Sequence, residues 1–270
     1  MSPNDLTTLA ALKAWLGLPS SPTPNDAALA ALISAASRAI YSWLGRPGLL
    51  PQAYNETLDG QSARLWLRHW PVLNIASLTI DGLTVPPVVP GVRHGFLLQG
   101  ADSAPPGRQQ AVDIFGCWPL RGRQNVAISY SAGYGVTSEA AQVPATSPWQ
   151  AAALQPYGPW ACDLGVGYAA TGVKLTPVAS APALGQYAVS AGLYSFSPAD
   201  AGAALSLSYG YIPQDVAQAA LELAAERFRA AERIGLKSKS VGGQETIAYD
   251  TSAISAAVLA LLRPYRRVTM

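Results

Sequence analysis

The sequence predicts an α+β protein: a helical bundle made from N- and C-terminal helix pairs, a β-rich middle section at about 54–135, and an inserted small β-sandwich-like domain at 137–211. Three observations lead there. Apolar residues recur at helical spacing near both chain ends. Between them the period drops to two, with β-branched and aromatic residues alternating against polar ones. And one strand is spelled twice, as VAISYSAGYG at 126–135 and AALSLSYGYI at 203–212, with only the second copy running through Pro213 into a helix.

The first helix follows Asp5 as a cap, with Leu6, Leu9, Leu12 and Leu16 on one side and Gly17 as its stop. After the linker LPSSPTPND, Asn25 or Asp26 caps a second helix. Its stripe is Leu29, Leu32, Ile33, Ala36, Ile40, Trp43 and Leu44, ended by Gly45 and Pro47. From Tyr54 the segment ARLWLRHWPVLNIASLTIDGLTV alternates, with Pro71 between two strands and Asp81-Gly82 as a tight hairpin turn. Asp59-Gly60 reads as another turn. A Pro/Gly-rich passage precedes strands at 111–117 and 125–130. Near the C-terminus, Pro213 opens a third helix with Val216, Ala220, Leu223, Ala224, Phe228, Ala231 and Ile234 inward until Gly235. A polar loop, LKSKSVGGQETIAYDT, leads to a fourth helix capped by Ser252 and ended by Pro264.

Neither terminal helix pair buries a core alone, so the economical arrangement packs the two pairs together with β material projecting. Cutting out the residues between the repeated strands would join ISYSAGY directly to IPQDVAQAALELA. That restores one strand-to-helix junction and defines the division: a core of 1–136 and 212–270, with 137–211 set into it.

Charged residues are 13% of the 270, against roughly 25% in ordinary domains, while Tyr (12) and Trp (7) outnumber Phe (4). So apolar a chain supports a folded core, and its low charge fits a surface covered by a partner, since interface centres are poor in charge and rich in Tyr and Trp. An ordinary Gly/Pro-rich β protein has the same composition. The net charge of +2 gives no argument for gripping nucleic acid. MSPNDLTTLA lacks a signal-peptide pattern, and the apolar stretches are broken before about 18 residues, so no membrane span is expected. Cys117 and Cys162, without CxxC spacing, read as free thiols in a reducing compartment.

Signatures of catalysis are missing: there is no GxxxxGK[ST], GxGxxG or GxSxG. His69 and His94 stand without partners at ligand spacing, and Asp113, Asp163 and Asp200 form no acidic pair with metal-site spacing. The reading is a non-enzyme with no cofactor and no metal. Two basic features remain. Lys237, Ser238, Lys239, Gly242 and Gly243 lie in the polar loop, an expected assembly element that orders on contact. Tyr265, Arg266 and Arg267 follow Arg263 at the C-terminus. They are either solvated charge on a frayed end or an anchor set for a partner.

Four segments together carry a family resemblance: DLTTLAALKAWLGL…NDAALAALISAASRAIYSWLGR, RHWPVLNIASLTIDG, SYGYIPQDVAQAALELAAERF and ERIGLKSKSVGG…LLRPYRRV. In kind and order they resemble the head–tail connector (adaptor, head-completion) proteins of long-tailed bacteriophages, over roughly 5–83 and 207–268. The resemblance implies a structural virion protein, made in the bacterial cytoplasm, forming a homo-oligomeric ring, commonly a dodecamer, under the portal protein in the neck. Such a ring extends the genome channel, passes DNA without sequence-specific binding, and presents a platform to a stopper or a tail terminator. Tyr265, Arg266 and Arg267 would be its portal-docking residues. The length and the β insert depart from compact members. The alternative is a virion β module binding carbohydrate or another surface ligand, resting on aromatic segments such as YGPWACDLGVGY.

Overall fold

In the computed structural model, which describes residues 4–92, 94–100, 104–116, 118, 121–231, 238–241, 245–248 and 253–267, the alternating sequence from Gln52 to Tyr211 pairs into sheets that are antiparallel except where Thr176–Pro177 runs parallel to Gln186–Tyr187. Its first seven strands are β1 (Gln52–Gly60), β2 (Arg64–Trp66), β3 (Val72–Ile80), β4 (Leu83–Thr84), β5 (Gly95–Gln99), β6 (Ala111–Phe115) and β7 (Gly122–Ala132). They form one sheet in the order β1-β7-β3-β4 and a second in the order β2-β6-β5. Period-two alternation puts Val126, Ile128, Tyr130 and Ala132 of β7 on one face, where they meet Leu65, Val112, Ile114 and Phe96 of the other sheet in a single apolar core. Asp81 and Gly82, at φ 50° and 79°, make the type I′ turn that joins β3 to β4. Asp59-Gly60 is not a turn. Gly60 closes β1 at a register shift against β7, and Asp59 accepts from the Gln124 N–H at 2.7 Å.

The next seven strands are β8 (Gly135–Gln142), β9 (Gln150–Ala152), β10 (Trp160–Tyr168), β11 (Thr176–Pro177), β12 (Gln186–Ser190), β13 (Leu193–Phe196) and β14 (Ala204–Tyr211). Their sheets run β10-β14-β8 and β11-β12-β13-β9. The two copies of the repeated strand therefore hold equivalent places: β7 is flanked by β1 and β3, β14 by β10 and β8. Tyr209 pairs with Val136 and Gly210 with Gly135, and the Tyr211 N–H donates to the Tyr134 carbonyl at 3.1 Å. The two borders of 137–211 thus lie side by side. Where they meet the chain at Leu50–Pro51, side chains have no room. A Cβ on Gly133 (φ 144°) would sit 2.4 Å from the Pro51 nitrogen, and one on Gly210 would sit 2.5 Å from Cys162 Sγ.

A separate compact unit, Met1–Gly48 with Pro213–Met270, carries α1 (Leu9–Leu16), α2 (Asp26–Leu44), α3 (Gln214–Ala230) and α4 (Ala256–Leu262), and a hairpin of β15 (Ser238–Val241) and β16 (Glu245–Ala248). Within it α3 packs on α1, α2 and α4. Thr8, not Asp5, caps α1: its hydroxyl accepts from the Ala11 N–H at 3.1 Å, while Asp5 accepts from the Ser34 hydroxyl. Gly17 and Gly45 end α1 and α2 in the left-handed conformation. The Lys13 ammonium is buried and clips α1 to Asp26, 2.9 Å away. Asn25 precedes α2 without a side-chain cap bond. Ser255 caps α4; Ser252, Ile234 and Gly235, which the sequence placed at helix boundaries, lie outside the described residues, as does Cys117. α2, 19 residues with Asp26 and Arg38 as its only charges, is long and apolar enough to cross a bilayer by length and composition, a test that a buried core helix also passes. Its Leu29, Ile33, Ala36, Ile40 and Leu44 stripe is buried within the unit.

These elements correct the expected fold class. A helical bundle of N- and C-terminal helix pairs with a β middle is not what the chain forms. Among the described residues it is β-rich, with sixteen strands against four α-helices. The expected pairs fail on length. α1 has eight residues and α4 seven, about two turns each, too short to match long helices along a bundle axis. The compact division falls at Gly48/Leu49 and Ile212/Pro213, so that 54–135 and 137–211 share one unit, Leu49–Ile212.

Candidate functional site

Among the described residues no group of three or more His, Cys, Asp and Glu could hold a metal ion. The carboxylates face tyrosines instead. In the second half of the β unit, Asp163 accepts from the hydroxyls of Tyr187 and Tyr194, and Trp160 donates its indole N–H to Tyr194. Asp200, 3% exposed, accepts from Tyr168, and Glu139 accepts from Tyr209 at 2.7 Å. In the first half, Tyr130 donates to Glu56 at 2.7 Å and accepts the His69 N–H. The His69 ring stacks on Tyr54 with centroids 3.7 Å apart, and its Nε2 lies 3.6 Å from the Glu56 carboxylate. His69 is therefore a packed residue, and His94 is exposed. Burial, reinforced by Glu139, pushes the Tyr209 hydroxyl up to about 12. Burial first and Asp163 second also raise Tyr187, while burial raises the Cys162 thiol. The tyrosine–carboxylate pairs join residues 24 to 74 positions apart, which no local motif reveals.

Two surfaces carry exposed aromatic side chains beside ordered charge. On the helical unit Trp15 is 50% exposed and lines a groove of about 460 Å³ with Glu222, Glu226, Arg227, Arg229 and Ser255. Gln218 donates to Glu222 at 2.7 Å and Ser255 to Glu226 at 2.8 Å, so both acids are held in place.

The second surface is the outer face of the sheet β2-β6-β5. Alternation turns Leu65, Val112, Ile114 and Phe96 inward, leaving Arg64, Trp66, Asp113, Leu97 and Phe115 outward. Arg64 grips Asp113 through two hydrogen bonds, Nε–Oδ1 at 2.6 Å and Nη2–Oδ2 at 2.7 Å, and the Gln99 side chain bonds the same carboxylate. The Arg64 guanidinium holds the Asp113 carboxyl below the usual range. Trp66 is 52% exposed beside this pair. A cleft of about 250 Å³ adjoins Arg64 and Trp66, with Asp59, Gln61 and Ser62 in its wall. The spacing in RLWL signals this face, because residues two apart on a strand share a side.

The residues expected to dock on a partner are placed differently from one another. Tyr265 is 1% exposed in a 3₁₀ turn after α4, and its hydroxyl donates to Asp215 at 3.0 Å. It belongs to the helical unit's own packing. Arg266 is exposed and lies over the Trp43 ring, 5.1 Å from its centroid; the Arg267 N–H donates to the Leu44 carbonyl at 2.9 Å. Of the expected assembly loop, Ser238 and Lys239 open β15 and pair with Ala248 and Ile247, so this stretch forms a hairpin. Lys237, Gly242 and Gly243 lie outside the described residues.

No protein-family model matches the chain, and no curated protein matches it.

Proposed function

We propose that the chain is a structural virion protein, an adaptor-ring subunit joining the portal of a phage capsid to the neck or tail and extending the DNA channel. The reading starts from the resemblance of the four sequence segments to head–tail connector proteins. The observation that supports it most is the helical unit's surface. A closed ring needs a heterologous interface, one face of a subunit against a different face of the next. The unit has two aromatic–charge surfaces that share no residue: the Trp15 groove, and Arg266 over Trp43. Mixed charge in the groove suits specific mating over indiscriminate adhesion. With Tyr265 held inside, portal docking falls to Arg266 and Arg267, and the β15–β16 hairpin is the assembly element.

Native mass spectrometry and negative-stain imaging of the purified chain, alone and mixed with its portal, test this. Rings that bind portal are the expected result. Trp15→Ser should depopulate the ring while the monomer keeps its helical circular dichroism, and exchanging Arg266 and Arg267 for Ser should weaken portal binding but spare the ring. A chain that stays monomeric at high concentration, with and without portal, would refute the assignment.

A further inference from the structure

The outer face of β2-β6-β5 plays no part in the ring reading, yet it is chemically ordered. Trp66, half exposed, stands next to a network in which Arg64 and Gln99 converge on Asp113. Arg64 uses two of its five N–H donors on that carboxylate, which leaves three for a ligand or water. Asp113 keeps acceptor capacity beyond its bonds to Arg64 and Gln99.

We infer that this face binds a neutral saccharide, with Trp66 as the platform under a pyranose ring and the Arg64–Asp113–Gln99 network reading its hydroxyls. Each part of the ligand has a counterpart. The C–H face of a pyranose carries slight positive charge, which the negative face of an indole attracts. Sugar hydroxyls both donate and accept, so they take the unused guanidinium donors and the unused carboxylate acceptors at once. The 250 Å³ cleft beside Trp66, walled by Asp59, Gln61 and Ser62, is below the usual size of a drug-like pocket and admits about one further sugar ring. Asp59 is held by the Gln124 N–H and so keeps its place in that wall.

Charge chooses among occupants. Arg64 is matched by Asp113, so an anionic ligand would meet a carboxylate along with the guanidinium. A dry protein surface would strip water from the ion pair without replacing its hydrogen bonds, a loss that its mutual attraction does not recover. A hydroxyl-rich neutral ligand keeps every group satisfied.

Affinity electrophoresis of the full chain through native gels containing laminarin, galactomannan, glycogen or dextran tests the proposal, with heparin as the anionic comparison. At least one neutral polymer should retard the protein. Trp66→Ala should weaken that retardation about tenfold, the size of one aromatic contact of roughly 1.4 kcal/mol. Trp66→Phe should recover part of it, and Asp113→Asn should weaken it as well, with circular dichroism and gel filtration showing that each variant is still folded at the assay temperature. Passage through all four neutral gels without retardation would overturn the site. So would retardation that survives Trp66→Ala, or stronger retardation by heparin. Conversion of an oligomer to monomer by Trp66→Ala would reassign the face to subunit contact and equally overturn the proposal. Only that last outcome also bears on the ring reading; the others leave the Trp15 surface untouched.

Discussion

The two halves of the β unit solve the same packing problem with different side chains. Residues 52–132 fill the space between sheets mainly with aliphatic groups: Leu65, Leu67, Leu78, Ile80, Val112, Ile114, Val126 and Ile128. Residues 135–211 rely on Tyr187, Tyr194, Tyr209 and Tyr211, all fully buried, with fewer aliphatic neighbours. A tyrosine ring supplies much apolar area from one position, but its hydroxyl needs a partner when buried. The second half therefore carries Asp163, Glu139 and Asp200 at its tyrosine tips. Among the described residues the first half shows one such pair, Tyr130 with Glu56. An aliphatic core is indifferent to pH and sensitive to lost volume; a tyrosine–carboxylate core is sensitive to both lost hydroxyls and alkali.

The largest test removes one side of the comparison. Joining Tyr134 directly to Ile212 deletes the tyrosine half, and the aliphatic core, drawn from 65–132, should survive as a soluble protein with retained strand and helix signals in circular dichroism. Aggregation of that variant would show that the halves fold only together. Next in size, Leu78→Ala, at a site with no solvent exposure, should cost about 2–5 kcal/mol in denaturant unfolding. Tyr187→Phe keeps the volume and removes a donor from Asp163, so it should cost about 1–3 kcal/mol; a cost as large as that of Leu78→Ala would mean the network dominates the half. The smallest effect at neutral pH is the alkaline one. Because the fold raises these phenols above their unfolded value, their stabilisation is complete below about pH 10 and is lost as pH rises through the folded values, about 12 for Tyr209. Tyrosinate absorbance should appear above pH 10 together with loss of near-ultraviolet circular dichroism. Ionisation of all twelve tyrosines near pH 10 with the fold intact would contradict the buried pairs.

Helix ends and tight turns were legible residue by residue. Gly17, Gly45 and Asp81-Gly82 sit where a left-handed backbone is required, and that requirement is local. The spacing of Leu29, Ile33, Ala36, Ile40 and Leu44 marked the buried side of α2 for the same reason. The repeated Tyr-rich strand was legible as a repeat, and its likeness reflects a shared position, the middle of a three- or four-stranded sheet. Helix length was not legible: Leu6 continues the apolar stripe of α1 yet precedes its Thr8 cap, and stripe membership does not decide where a helix begins. Of the residues singled out for docking, Arg266 is exposed and Tyr265 is interior, a distinction that a basic–aromatic cluster in sequence does not make.

By itself, then, the sequence determined which stretches alternate and which follow helical spacing, where the chain turns, and how little charge its surface can carry. Those properties depend on neighbours within a few residues, whose geometry the backbone dictates. Tertiary structure alone decided that β7 lies between β1 and β3, that Asp163 faces Tyr187 and Tyr194, and that Arg64, Asp113 and Trp66 share one outer face. Alternation assigns a side chain to a face but names no partner strand, and partners separated by dozens of residues are chosen by the collective packing of both sheets.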